Sequence, residues 1–171
     1  MTDITDLLEH EESYSKTPYR DSRGFPTVAI GILIGPKNAD MANYTFTVPY
    51  EVAKLWTRTF IDDIMHQVDT NPKYAQIKSA LRRCVTAVGG YPLTVTTPYY
   101  TSPRAAVLLS MAYQMGLDGL AAFVNTLALV EQGKWDNAAD AMLQSKWAKQ
   151  TPNRAKRHTD QFRSNVWDAN Y

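Results

Sequence analysis

Glu12, Asp21 and Thr27 stand nine and six positions apart in the stretch ESYSKTPYRDSRGFPTVAIGILI. One carboxyl group that can hold a proton, a second that stays ionised and a hydroxyl that can orient water form an acid/base set for hydrolysis. Glu11 and Glu12 fall at the end of a short helical pattern, where the helix dipole disfavours negative charge and tends to raise a carboxyl pKa. Asp21 opens an Asp-Ser-Arg-Gly turn signal. The same residues also read as a solvated helix end, and type and spacing alone leave both readings open.

Other chemistries lack their residues. His10-Glu11-Glu12 begins like a zinc-binding helix, but Tyr14 occupies the place of the second histidine. His66 and His158 stand alone in helical patterns and read as solvated. Neither a nucleophile elbow nor a Gly-rich phosphate loop occurs. By elimination the carboxylates are the best catalytic candidates, with no metal and no cofactor expected.

The elements that must position them follow from pattern. Thr2 or Asp3 caps a first helix with Ile4, Leu7 and Leu8 on its apolar face. Pro18 and the turn at 21–24 break it, and the β-branched residues from Thr27 to Ile34 predict short strands, hence a small antiparallel sheet. Residues 35–48 read as a loop. Thr47 and Pro49 open a long helix to about Val68, with Val52, Leu55, Trp56, Phe60, Ile64 and Val68 predicted along one face. A shorter helix is predicted from Lys73 to Val88. Residues 89–102, GGYPLTVTTPYYTS, read as a packed surface loop or as a flap whose exposed tyrosines stack on sugars, with a short strand at 93–96. Ser102-Pro103 starts a helix that is apolar nearly all round and stops at Gly116. Further helices are predicted around Leu120–Val130, from Trp135 to Trp147, and after Thr151-Pro152.

With 171 residues, the chain is long enough for one domain with a sizeable core, and its net charge of +1 does not favour nucleic acid. Cys84 is the only cysteine, which excludes an internal disulfide. No apolar run reaches the roughly 20 residues of a membrane span, and the acidic N-terminus is unlike a secretory signal. A soluble protein held in the cytoplasm until release is the expectation.

Glu-(x)8-Asp-(x)5-Thr, with Tyr19 before the aspartate and Gly24 after it, resembles the phage-type lysozyme family, its T-even branch above all. YQMG at 113–116, KWDNAA at 134–139 and WAKQTPNRAKR with the following FR and WDA are similar to that family in the same order. The resemblance implies a single α+β domain. Its parts are a small lobe with a three-stranded antiparallel sheet (13–50), a connecting helix (51–68) and a helical lobe (1–12 and 69–171), with a cleft between the lobes. It also implies an endolysin: a muramidase that cleaves the β-1,4 bond between N-acetylmuramic acid and N-acetylglucosamine of peptidoglycan for host cell lysis. Glu12 would be the general acid, and Asp21 and Thr27 would hold the attacking water, inverting the anomeric carbon. Inversion requires carboxyl groups about 6.5–9.5 Å apart. Arg154 would anchor the acid, and Leu33, Tyr113 and Thr126 would line the saccharide cleft. A holin-like pore would carry a monomer from the host cytoplasm to the periplasm. The alternatives are a tail-associated lysozyme acting at infection and a catalytically weak wall-binding homologue.

Departures from the family are equally specific. Ile32 replaces a histidine whose aspartate partner would fall at Thr59, Ala29 replaces a glycine, and Ala141 replaces an asparagine of the cleft. Losing both members of a buried ion pair disturbs a fold far less than losing one.

Overall fold

The computed structural model describes residues 2–85 and 92–171 of the chain. The fold is α+β: a three-stranded antiparallel sheet in order β1 (Tyr14–Arg20), β2 (Pro26–Ile30) and β3 (Ile32–Leu33), with the rest mostly helical. Contacts divide the chain into two compact units, Leu8–Phe60 and Met1–Leu7 with Ile61–Tyr171.

Helix α1 (Ile4–Glu12) precedes the sheet. The Asp3 carboxylate accepts from the Thr5 N–H at 2.7 Å, and the Asp3 N–H donates to Asp6 at 3.0 Å, so each satisfies a group the helix start leaves open. In the smaller unit every residue of β2 is buried, as expected of the central strand. Opposite it, β1 places three residues between Ser15 and Tyr19 where β2 places one, Val28, between Ala29 and Thr27. Pro18, which has no N–H to give, falls within this bulge. The Lys16 carbonyl accepts from the Val48 N–H at 2.8 Å, and the Tyr14 hydroxyl donates to the Val48 carbonyl at 2.6 Å. These bonds tie the bulge to the loop before α2 (Tyr50–Thr70).

Two of the departures have visible consequences here. Ala29 holds φ +57°, a left-handed conformation in which glycine is at ease and alanine costs about 1 kcal/mol. Ile32 is buried as a plain hydrocarbon, while Thr59 turns its hydroxyl to the Leu55 carbonyl of its own helix.

The face of α2 differs from the sequence expectation. Val52, Leu55 and Phe60 are exposed, Leu55 to 66%, whereas Ala53, Thr57, Ile61, Ile64, Met65 and Val68 are buried. The small Ala53 and Thr57 take the inner positions of the first turns, so a count of large apolar residues misplaces the stripe by one residue.

In the larger unit, α3 (Ala75–Val85) follows a 3-10 turn at Pro72–Tyr74, and residues 86–88 of the longer helix expected there lie outside the described residues. The strand expected at 93–96 does not form; Leu93 is buried in a turn that leads into α4 (Thr97–Thr101). Tyr99 and Tyr100 are buried, and the Tyr100 hydroxyl donates to Asp62 at 2.8 Å, so neither forms a sugar-stacking flap. Residues 89–91 lie outside the described residues. Helix α5 (Pro103–Ala121), capped by the Ser102 hydroxyl on the Ala105 N–H, is buried at every position from 105 to 112. Gly116 does not stop it: at φ +77° it kinks the helix, which resumes to Ala121. Then come α6 (Val124–Glu131), α7 (Trp135–Leu143), α8 (Lys146–Gln150) and α9 (Pro152–Ser164). The single helix expected from Trp135 to Trp147 is thus two, divided where Ser145 caps α8 by accepting from the Ala148 N–H. Trp135 packs edge-on to Phe162, with the Arg104 guanidinium 4.1 Å from its ring centroid, and Arg104 donates to the carbonyls of Phe162 and Arg163 at the end of α9.

Candidate active site

Within the smaller unit Glu12 ends α1 beside Gly31, Asp21 follows β1 at the turn of the first hairpin, and Thr27 lies on β2. Asp21 begins the turn between β1 and β2. Its Oδ1 accepts backbone N–H groups from Arg23 at 2.9 Å and Phe25 at 2.8 Å, and the Arg23 guanidinium lies 3.5 Å from Oδ2. Burial works to raise its pKa, but the N–H groups of Phe25 and Arg23 and the Arg23 charge outweigh it and hold the carboxyl below the usual aspartate range. Expected on an exposed turn, the side chain is only 17% exposed.

The Phe25 peptide joins this aspartate to the threonine. Its carbonyl accepts from the Asp21 N–H at 2.9 Å and from the Thr27 hydroxyl at 3.2 Å, while its N–H donates to the Asp21 carboxylate. Thr27 is almost closed off, 2% exposed, between its strand partners Tyr19 on β1 and Leu33 on β3. With its proton on the Phe25 carbonyl, its oxygen keeps lone pairs for a water proton.

Glu12, half-buried at the last position of α1, lies against Gly31. A Cβ on Gly31 would stand 3.0–3.1 Å from the Glu12 Cβ, Cγ and Oε2 atoms, and Gly31 has φ +70°. The missing side chain and the left-handed backbone therefore make the space that the glutamate occupies. Tyr19 connects the two acids electrostatically. Its hydroxyl is pushed above the usual tyrosine range first by burial, then by the negative charges of Glu12 and Asp21. Leu33, expected to touch saccharide, is 47% exposed beside Thr27 on β3.

In the larger unit Thr126 is buried at the start of α6 and lines a cavity of about 450 Å³ with Phe123, Ala141, Gln144, Ser145 and Trp147. Ala141, the replaced asparagine, is part of this wall, which lacks the amide that residue would bring. Tyr113 is half-buried on α5 and is not among the cavity's lining residues. Arg154, on α9, is 7% exposed and donates from Nη2 to the Ser110 hydroxyl at 3.0 Å.

His158, expected to be solvated, is fully buried one turn further along α9, with Nε2 2.9 Å from the same Ser110 oxygen. Burial, then the charges of Arg154 and Arg157, push its pKa well below the usual histidine range. Its surroundings in the sequence, Lys156-Arg157-His158-Thr159-Asp160, are polar, and its burial follows from helix period alone: residues 154, 155, 158, 159 and 162 share the inner face. That period was the one available signal, as Phe25, Ser110 and Gly31 carry none. Among the described residues no group of His, Cys, Asp and Glu could hold a metal ion.

No protein-family model matches the chain. Among curated proteins it is 28% identical to Probable T4-type lysozyme 1 of Dictyostelium discoideum, over 92% of this chain and 91% of that protein. It is 27% identical to Probable T4-type lysozyme 2 of the same organism, over the same shares. To the Pre-baseplate central spike protein Gp5 of Enterobacteria phage T4 it is 25% identical, over 91% of this chain and 27% of that protein.

Proposed function

We propose that this chain, T4-lysozyme-like in sequence and fold, is a glycoside hydrolase that cleaves the β-1,4 bond between N-acetylmuramic acid and N-acetylglucosamine in peptidoglycan. Glu12 gives its proton to the leaving glycosidic oxygen as the bond to the anomeric carbon breaks. Water attacks that carbon from the opposite face and passes a proton to Asp21, so the configuration inverts. Because Asp21 Oδ1 is filled by two backbone N–H groups, Oδ2 is the oxygen that takes the water proton. Thr27 orients the water, Leu33, Tyr113 and Thr126 contact the glycan, and Arg154 supports the acid by its charge.

The observations that support this reading are the seat of Glu12 against Gly31, the Phe25 peptide that links Asp21 to Thr27, and the pairing of Thr27 with Tyr19, whose hydroxyl feels the charges of both acids after its burial. A protein that only bound wall would need no such grouping of two acids and a water-orienting hydroxyl. Clearing of permeabilised Gram-negative cells tests it: wild type lowers turbidity and Glu12→Gln, correctly folded, does not. Clearing by that variant at the wild-type rate would place the acid elsewhere. NMR of fresh product should show the inverted anomer first.

The setting we infer is lysis of the host from within, by a monomer that reaches the wall through a holin-type pore. The motif likeness to phage lysozymes at residues 12–27 and from Trp147 onward supports it. The likeness to the spike protein supports a second setting, entry at infection. An antibody to this chain separates them, since detection in purified particles selects entry and detection only in the lysate selects release.

A further inference from the structure

We propose that Ser110 and His158 are positioning residues for Arg154: the Ser110 hydroxyl gives its proton to His158 Nε2 and accepts one from the guanidinium, holding that cation in one orientation. The inference rests on the reading of Arg154 as the support of the general acid.

Three polar side chains meet here inside a helical core. Ser110 and His158 are fully buried and Arg154 nearly so. Arg154 and His158, four apart on α9, lie on one face and converge on the single oxygen of Ser110 on α5, at 3.0 and 2.9 Å. A hydroxyl has one proton and two lone pairs. With a neutral imidazole accepting the proton, a lone pair is fixed toward the guanidinium. The neighbourhood favours that neutral imidazole: Arg154 and Arg157 share its helix, α5 presents Ser110, and α8 presents the uncharged Trp147 ring, 6.0 Å away.

The Trp147 ring is itself held by its N–H on the Gln114 carbonyl oxygen at 2.7 Å, and it lines the same cavity as Thr126. Contacts therefore run without a gap from the cavity wall through Trp147, His158 and Ser110 to Arg154. A serine beside a histidine also suggests a nucleophile and its base. Burial of both side chains denies them substrate, and the serine oxygen is already committed to an arginine. Apolar residues would fill this space more cheaply than a polar triad, so its retention fits the fixing of a charge.

Turnover of dye-labelled peptidoglycan sacculi tests the assignment. Ser110→Ala and His158→Leu should each lower kcat about tenfold with KM nearly unchanged, the effect of one hydrogen bond to a charged group. His158→Gln, whose amide reaches the Nε2 position, should recover most of that loss. In an Arg154→Lys background, Ser110→Ala should add less than about twofold, because the geometry it maintains is already gone. Nitrogen-15 NMR of the wild-type protein should show His158 neutral with the proton on Nδ1, a result independent of whether any variant folds. Multiplying losses in the double variant, or a proton on Nε2, would overturn the inference. If Arg154→Lys keeps full turnover, both the arginine reading and this inference fall. If it is slow while Ser110→Ala keeps wild-type turnover, this inference falls alone.

Discussion

Gly31 sets the position of Glu12 without taking part in the chemistry. Its φ of +70° disfavours any side chain, and at 3.0–3.1 Å a methyl group would make the glutamate give way by a few tenths of an ångström. Gly31→Ala should cost about 1–2 kcal/mol from the backbone alone, and the methyl group should also push Glu12 from its place. The expected outcome is a stable, folded variant whose lytic rate falls far more than its melting temperature. Equal, small changes in both would show that Glu12 has space to spare. Asp21 gives a second expectation. Its folded pKa lies below the unfolded one, so the native state gains stability from this group above the ordinary aspartate range, near pH 3.9. That gain is lost as the pH falls through the lower folded value. Carbon-13 titration of the Asp21 carboxyl should therefore give a midpoint below that of a free aspartate, and Arg23→Ala should move it upward. A midpoint above the free value would contradict the hydrogen-bond pattern described for the turn.

At the scale of elements, α2 carries the sharpest test, because its buried face keeps Ile64 and Val68 of the expected stripe but leaves Val52, Leu55 and Phe60 in water. Leu55→Gln should change stability by less than about 0.5 kcal/mol, since its side chain is largely in water. Ile61→Ala, by contrast, removes a fully buried side chain and should cost roughly 2–5 kcal/mol in urea titration. The reverse order would restore the face drawn from the large apolar residues. The contrast marks what periodicity can carry. The sheet, the helix starts at Ser102 and Pro152, and the all-round burial of α5 are legible because Pro, Gly and capping residues act locally. Ala53 and Thr57 are not, since a small residue gives no sign of which side it faces. His158 reads as solvated when taken as a lone histidine, whereas its helical phase places it inside. The proposed triad is visible in the sequence as a spacing, but the Phe25 peptide that binds Asp21 to Thr27 leaves no trace there, because backbone groups look alike at every position.

For the whole molecule, a histidine sealed in the core makes stability depend on pH. The unfolded chain takes up a proton on His158 as the pH falls below about 6.5, the ordinary histidine value. The native state resists protonation because burial and then Arg154 and Arg157 disfavour the charged ring. The unfolded state thus binds more protons, and stability rises with pH across this window and is lost as the pH falls, by at most about 1.4 kcal/mol per pH unit from this one group. His158→Gln keeps a polar partner for Ser110 yet cannot titrate, so its unfolding free energy should flatten between pH 6.5 and 5 while wild type declines. If His158→Gln declined between pH 6.5 and 5 as steeply as wild type, the acid sensitivity of the fold would lie outside the buried core between α5 and α9.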